Sequence, residues 1–412
     1  MNSKEKLVSY FLFLSFIAAS FFSIFLSFKA GHDSWSMTEW LINYAGGFVR
    51  RGLPGEIIYQ IKLITEIHAN HIAIAISVVA FLCVIYKFSF GIGGILPAAV
   101  IFSPVVLGSA AYGSFIVRKD ILGIVFLILC LHFIKNIYYG NLRYFLINIV
   151  GIFAILSHES FFFFGFPALV VAGIIGKKTN NVTGIRSLVF SIFKLIPMVI
   201  AFAATVLHHG DASIANAINN SLFETWSYIG QVNCCIDQPS AAIDALQWSS
   251  KKGISLSLSV LNDFSFFIYV PLVWIFTLAI CFWFLVGFIK SGDSILSNER
   301  QRLATVLVFQ IIMISPLFVV GWDFGRWIFL WTASSILIFN SELNYEVSIL
   351  KWLHDKLGFV NPSGFKKFSP RYWQLLIFSV PSCCWTLKSY FLSNPFGFLI
   401  GKAVKFYQVI TF

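Results

Sequence analysis

The sequence predicts an all-α polytopic membrane protein, a transmembrane helical bundle of about eleven spans, and three observations predict it. Of 412 residues, 58% are hydrophobic and only 11% are charged, against roughly 25% charged residues in soluble domains. Mean hydropathy is +0.83. Apolar runs approaching the ~20 residues that a helix needs to cross a bilayer recur along the whole length. The formal charge of +11 does not indicate a nucleic-acid binder, because the basic residues are dispersed between apolar runs rather than gathered on one face. A transmembrane β-barrel is excluded as well, since its strands would alternate in polarity.

The elements follow in order. MNSKEK and then a long apolar run without an A-x-A cleavage signal predict a retained first helix over 8–28. Lys4 and Lys6 before it place the N-terminus in the cytoplasm by the positive-inside rule. Further spans are predicted over 70–86, 92–112, 121–134, 144–157, 160–176, 188–207, 265–289, 303–320, 327–341 and 372–392. Residues 1–412 are read as a single integral-membrane domain, with a first outer loop at 29–69 and a large polar outer loop at 208–264. In the cytoplasmic segment 342–371, apolar residues at helical spacing lie opposite charges, as in an interfacial helix. Nearly all of the excess positive charge falls on the cytoplasmic side, so the basic balance reflects topology rather than a partner.

Three stretches share one form. Between cytoplasmic basic flanks, 88–134 carries Arg118, Lys119 and Asp120, 144–176 carries His158 and Glu159, and 303–341 carries Asp323 and Arg326. Each reads as a helical hairpin with its charges at the tip. The 144–176 hairpin is short for two crossings of ~20 residues each, which puts His158 and Glu159 below the outer membrane surface. Charge at that depth costs at least ~2.5–3.5 kcal/mol per residue, so it marks function or a compensating partner. A purely structural pairing of His158-Glu159 with Arg118 or Arg326 is the competing interpretation.

The first outer loop adds Asp33 and the sequence NYAGGFVRRGLPGE, a glycine-flanked double arginine at Arg50-Arg51. Glycines let backbone approach a ligand closely, and adjacent guanidinium forks suit phosphate oxygens. No GK[ST] follows, so this is no ATP-binding P-loop. In the large loop, His208, His209 and Asp211 are weak metal-ligand candidates, and an ordinary amphipathic loop explains them better. Trp226, Tyr228 and Trp248 suit sugar stacking or a partly buried lid. Phe161–Phe164 read as lipid-facing or packing residues. Of the seven cysteines, Cys234 and Cys235 lie in this loop and the others in apolar runs. Neither CxxC nor Cys/His metal spacing occurs, so no metal is expected.

Several arginines, several carboxylates and a histidine in an outward-facing, membrane-embedded cavity match the needs of glycosyl transfer from a polyprenyl-diphosphate donor. Fixed arginines stabilise the charge developing on the leaving diphosphate, and a tuned carboxylate or histidine takes the proton of the attacking hydroxyl. Transport is the main rival, because intramembrane ionisable groups also mark substrate pathways. A carrier, however, needs a midplane site and often inverted repeats, and no convincing repeat is found.

NYAGGFVRRGLPGE, GSFIVRKDILGIVF, the SHESFFFF tip with Pro167 beyond it, and GWDFGRW together resemble Wzy-type O-antigen or capsular repeat-unit polymerases of bacterial surface-polysaccharide clusters. This chain departs from the described arrangement by carrying its double arginine in the first outer loop. The resemblance implies a GT-C-like fold in the bacterial inner membrane. It implies polymerisation of undecaprenyl-diphosphate-linked repeat units at the periplasmic face, with no cofactor, and with membrane lipid and a chain-length regulator protein as partners. Arg50, Arg51, Arg118, Lys119 and Arg326 would bind substrate. His158, Glu159 or Asp323 would be the base, with Asp33 secondary. The alternatives are a side-branch glucosyltransferase using polyprenyl-phosphate glucose and a lipid-linked oligosaccharide flippase.

Overall fold

Uninterrupted apolar runs form long helices, which satisfy every backbone group internally as hydrocarbon demands. The computed structural model describes residues 3–137, 139–175, 184–229, 238–261, 264–265, 268–289, 296–341, 370–383 and 385–401. It is all-helical apart from a two-residue antiparallel ladder, Phe264–Ser265 with Ile268–Tyr269. Among the described residues, five helices are long and apolar enough to cross a membrane: Ser3–Phe28, Ala69–Gly91, Gly140–Ser157, Val270–Gly287 and Glu299–Val320. Ile196–Leu207 and Ala212–Ser221 qualify only as a pair bent by 97°. The protein is therefore a multi-pass membrane protein by the length and composition of its helices.

Three expected spans are not single helices. Over 92–112, Pro97 and Pro104 interrupt the backbone ladder, leaving only Ala98–Phe102 and Gly108–Tyr112. Residues 99–112 are all buried, and non-helical backbone within a membrane protein is tolerated where protein covers it. Its groups find local partners, among them Leu107 N–H to Ile101 C=O at 2.9 Å and Gly108 N–H to Ser103 C=O at 2.9 Å. Over 188–207 the helix breaks at Leu195, just before Pro197, into Gly184–Lys194 and Ile196–Leu207. Over 372–392, around Pro381, only Gln374–Ile377 and Leu387–Leu392 are helical. The interfacial helix expected within 342–371 lies almost wholly outside the described residues, as do Cys234 and Cys235.

The chain divides into two units. In the unit comprising residues 1–23, 85–115 and 254–412, the Phe324–Asn340 helix is buried along its length from Phe324 to Phe339. Trp331 Nε1 donates to Leu307 C=O at 2.8 Å, tying it to the preceding helix. In the unit comprising 24–84 and 116–253, residues of the 29–69 and 208–264 loops fold against each other. Trp40, Ile42, Val49 and Ile58 share a core with Ile218, Trp226, Ile243 and Leu246. Trp226 is fully buried here, so it offers no face to a sugar, while Tyr228 stacks on His68 at 3.5 Å between centroids. Phe161 and Phe164 are buried, and Phe162 stacks on Phe202 at 4.0 Å, so this aromatic run serves packing.

Candidate active site

The site lies within the second of these units and is assembled from three distant stretches: 39–51, 118–119 and 158–159. The short helix Trp35–Leu41 begins where the Ser34 hydroxyl caps the Met37 N–H. Trp40 donates its indole N–H to Val117 C=O at 3.2 Å, which fastens this helix to the residue preceding Arg118. Glu39, only 1% exposed, thereby meets Arg118, whose Nη1 lies 3.3 Å from Glu39 Oε2.

Arg51 is set by its backbone. It adopts φ 64°, the left-handed region, immediately before the Gly52–Thr65 helix, a conformation that costs a non-glycine residue energy and persists only where surroundings fix it. Two contacts fix it. Lys119, itself buried, donates to the Arg51 carbonyl at 2.6 Å, and Gly55 sits under the Ile42 carbonyl so closely that no Cβ would fit. Gly52 likewise faces the Tyr44 ring. These glycines admit neighbouring protein rather than a ligand. Lys119, expected among the substrate-binding groups, gives one of its donors to the chain.

His158 ends the Gly140–Ser157 helix in an extended conformation, φ −161°, which turns its ring inward; the residue is 5% exposed. Its Nδ1 accepts the Ser160 backbone N–H at 3.1 Å. A neutral ring therefore carries its proton on Nε2, and Nε2 lies 3.0 Å from Glu39 Oε1. Nδ1 is thus engaged, while Nε2 lies against Glu39 Oε1 at ion-pair distance without a hydrogen bond between them.

Glu159, the next residue, accepts from Arg51 Nε at 2.8 and 3.0 Å and pairs with Arg51 Nη2 as well. Arg51 Nη1 is 3.6 Å from Glu39 Oε1, so Arg51 bridges the two carboxylates. Lost solvation alone would raise the Glu159 carboxyl. The Arg51 guanidinium, His158 and Arg50 outweigh it and hold the group well below the usual carboxylate range. Arg50 differs from its neighbours. Its backbone N–H binds His208 C=O at 2.9 Å, but among the described residues its Nε has no hydrogen-bond partner. Burial, then the repulsion of Arg51, draws the Arg50 guanidinium below its ordinary value, and Glu159 opposes the shift.

Of the residues picked from sequence, the structure brings Arg51, Arg118, Lys119, His158 and Glu159 together, with Arg50 beside them. Asp33 is exposed and apart from this set. Asp323 and Arg326 belong to the other unit, where they pair with each other across one helical turn. Glu39, at the centre of the cluster, was missed from sequence. Its only signal is a carboxylate between Met37 and Trp40-Leu41 on a short helix. No group of three or more potential metal ligands occurs among the described residues.

No protein-family model matches this chain, and comparisons with curated proteins and with solved structures find no similar chain.

Proposed function

We propose that this protein is a membrane-embedded glycosyltransferase that joins undecaprenyl-diphosphate-linked repeat units at the outer face of the bacterial inner membrane. In this reading the chain is GT-C-like and crosses about eleven times, broken segments included, with its N-terminus in the cytoplasm. The observation that carries the reading is the Glu39–Arg51–Glu159 chain of charges, flanked by Arg118 and Arg50, in a protein otherwise poor in charge. Buried charge is costly unless paired, and here the cations outnumber the carboxylates that face them, which suits an anionic substrate. Arg50 and Arg51 would hold the donor diphosphate, Arg118 would add positive potential, and Glu159 would take the proton of the acceptor hydroxyl. His158 would act by orienting Glu39. The roles assigned to Asp323 and Arg326 rest on the sequence resemblance alone, and so does a chain-length regulator as partner.

A second reading has a specific observation behind it. Arg51 and Arg118 are both ion-paired, and Arg50 alone among the cluster's arginines has no ion pair to a described residue. One unpaired guanidinium matches a polyprenyl monophosphate donor, as used by a side-branch glucosyltransferase. Glycan gels separate the readings. In a host deleted for the gene, complementation with Glu159→Gln at normal protein level should give surface glycan capped by single repeats. Unchanged chain length with altered branching would favour the monophosphate enzyme, and full-length ladders would remove Glu159 as the base.

A further inference from the structure

We infer that Arg50 and Arg51 form a binding site for a phosphate or diphosphate ester, and that its occupant takes the place now held by the Glu159 carboxylate. The inference deepens the reading above and rests on it for the identity of the natural ligand. Arg51 has its carbonyl held by Lys119 at the start of the Gly52–Thr65 helix, so its guanidinium is presented from a fixed point. Glu159 occupies the Nε and Nη2 edge, the same two-donor fork that a phosphate engages.

The two carboxylates on Arg51 are not equivalent. Glu39 is 1% exposed and is also held by Arg118 and His158. The Glu159 side chain is 17% exposed and stands on the turn between two helices, with Arg51 as its principal partner. Glu159 is thus the carboxylate that can leave. Beside it Arg50 supplies a second guanidinium, whose Nε has no hydrogen-bond partner among the described residues, near enough for its charge to act on Glu159. An anion bridging Arg50 and Arg51 would relieve the repulsion between the adjacent cations and set Glu159 free. Released from Arg51, the carboxylate binds a proton more readily, so base strength would appear only once the anion is seated.

The test uses the full-length protein in nanodiscs, titrated with inorganic pyrophosphate by calorimetry. If Glu159 competes for the site, Glu159→Gln should bind pyrophosphate about three- to tenfold more tightly, the effect of removing a competing partly exposed ion pair. Arg50→Ala and Arg51→Lys should each bind more weakly, the second because it keeps charge but loses the fork. Unchanged or weaker binding by Glu159→Gln, at an unchanged thermal midpoint, overturns the inference. Undecaprenyl diphosphate in the nanodisc should displace pyrophosphate. Pyrophosphate binding that the lipid does not displace would uphold the anion site and overturn the lipid-donor reading. Tighter binding by Glu159→Gln with unaltered glycan length would uphold the anion site and remove Glu159 as the base.

Discussion

Two charged places that look alike in sequence are built differently. His158-Glu159 and Asp323-x-x-Arg326 each sit where one helix ends and another begins. Asp323 and Arg326 answer each other within a single turn, so this pair can form with its own helix. His158 and Glu159 instead meet Glu39 and Arg51, more than a hundred residues earlier, and Glu39 in turn meets Arg118 across 79 positions. A local pair neutralises its own charge. A pair made across the fold holds three chain segments at one point, and that is the kind of construction a binding site requires.

The largest expected effect tests that difference directly. Glu39→Gln leaves Arg118, 14% exposed in its side chain, without its described ion-pair partner, and it weakens Arg51. Breaking a buried pair by removing one partner costs about 3 kcal/mol, so the thermal midpoint of the purified protein should fall sharply. Asp323→Asn also strips a carboxylate from a buried guanidinium, Arg326 at 3% exposed, but it should cost less, because a single contact within one helix is lost. In a membrane the helix exists before the helices pack, so a contact within one turn is present on both sides of the packing equilibrium and largely cancels. Equal losses from the two substitutions would show that the long-range cluster has no special structural weight.

Acid sharpens the comparison further. The Glu159 carboxyl is held below its ordinary value in the folded protein, so its contribution is fully present above the unfolded value of about 4.3. It is lost as pH falls from there through the lowered folded value, because the unfolded chain takes up the proton first. Unfolding midpoints measured from pH 6 down to pH 3 should fall for the wild type and fall less steeply for Glu159→Gln. Parallel acid limbs would mean that the Arg51 contact contributes nothing to the carboxyl's ionisation.

How much of this was readable from the sequence follows the same division. Composition and apolar run length predict a multi-pass helical protein, because backbone satisfaction in lipid leaves few alternatives. The breaks over 92–112 and 372–392 were overlooked although Pro97, Pro104 and Pro381 stood in plain sight, since hydropathy weighs side chains and not N–H groups. Arg51, Arg118, His158 and Glu159 were legible because an ionisable residue between apolar runs is conspicuous. Glu39 was not, because a carboxylate in a polar loop is ordinary until Trp40 ties its helix to Val117. Lys119 is legible as a cation, but nothing in one dimension shows that it donates to the Arg51 carbonyl.

The smallest effect comes from an ion pair in the same unit as the cluster. Lys62 Nζ lies 2.6 Å from Glu224 Oε2, closer than Arg118 lies to Glu39, and it also joins segments far apart in the chain. Distance and sequence separation alone would rank it beside the cluster. The Glu224 side chain is 79% exposed, however, so water screens the attraction, and fixing two long side chains costs entropy. Lys62→Met should leave the thermal midpoint and pyrophosphate affinity indistinguishable from wild type. A clear loss of stability would show that separation along the chain sets the energy in this unit. No loss, beside a large one for Glu39→Gln, assigns it to burial and to the number of partners each charge must satisfy.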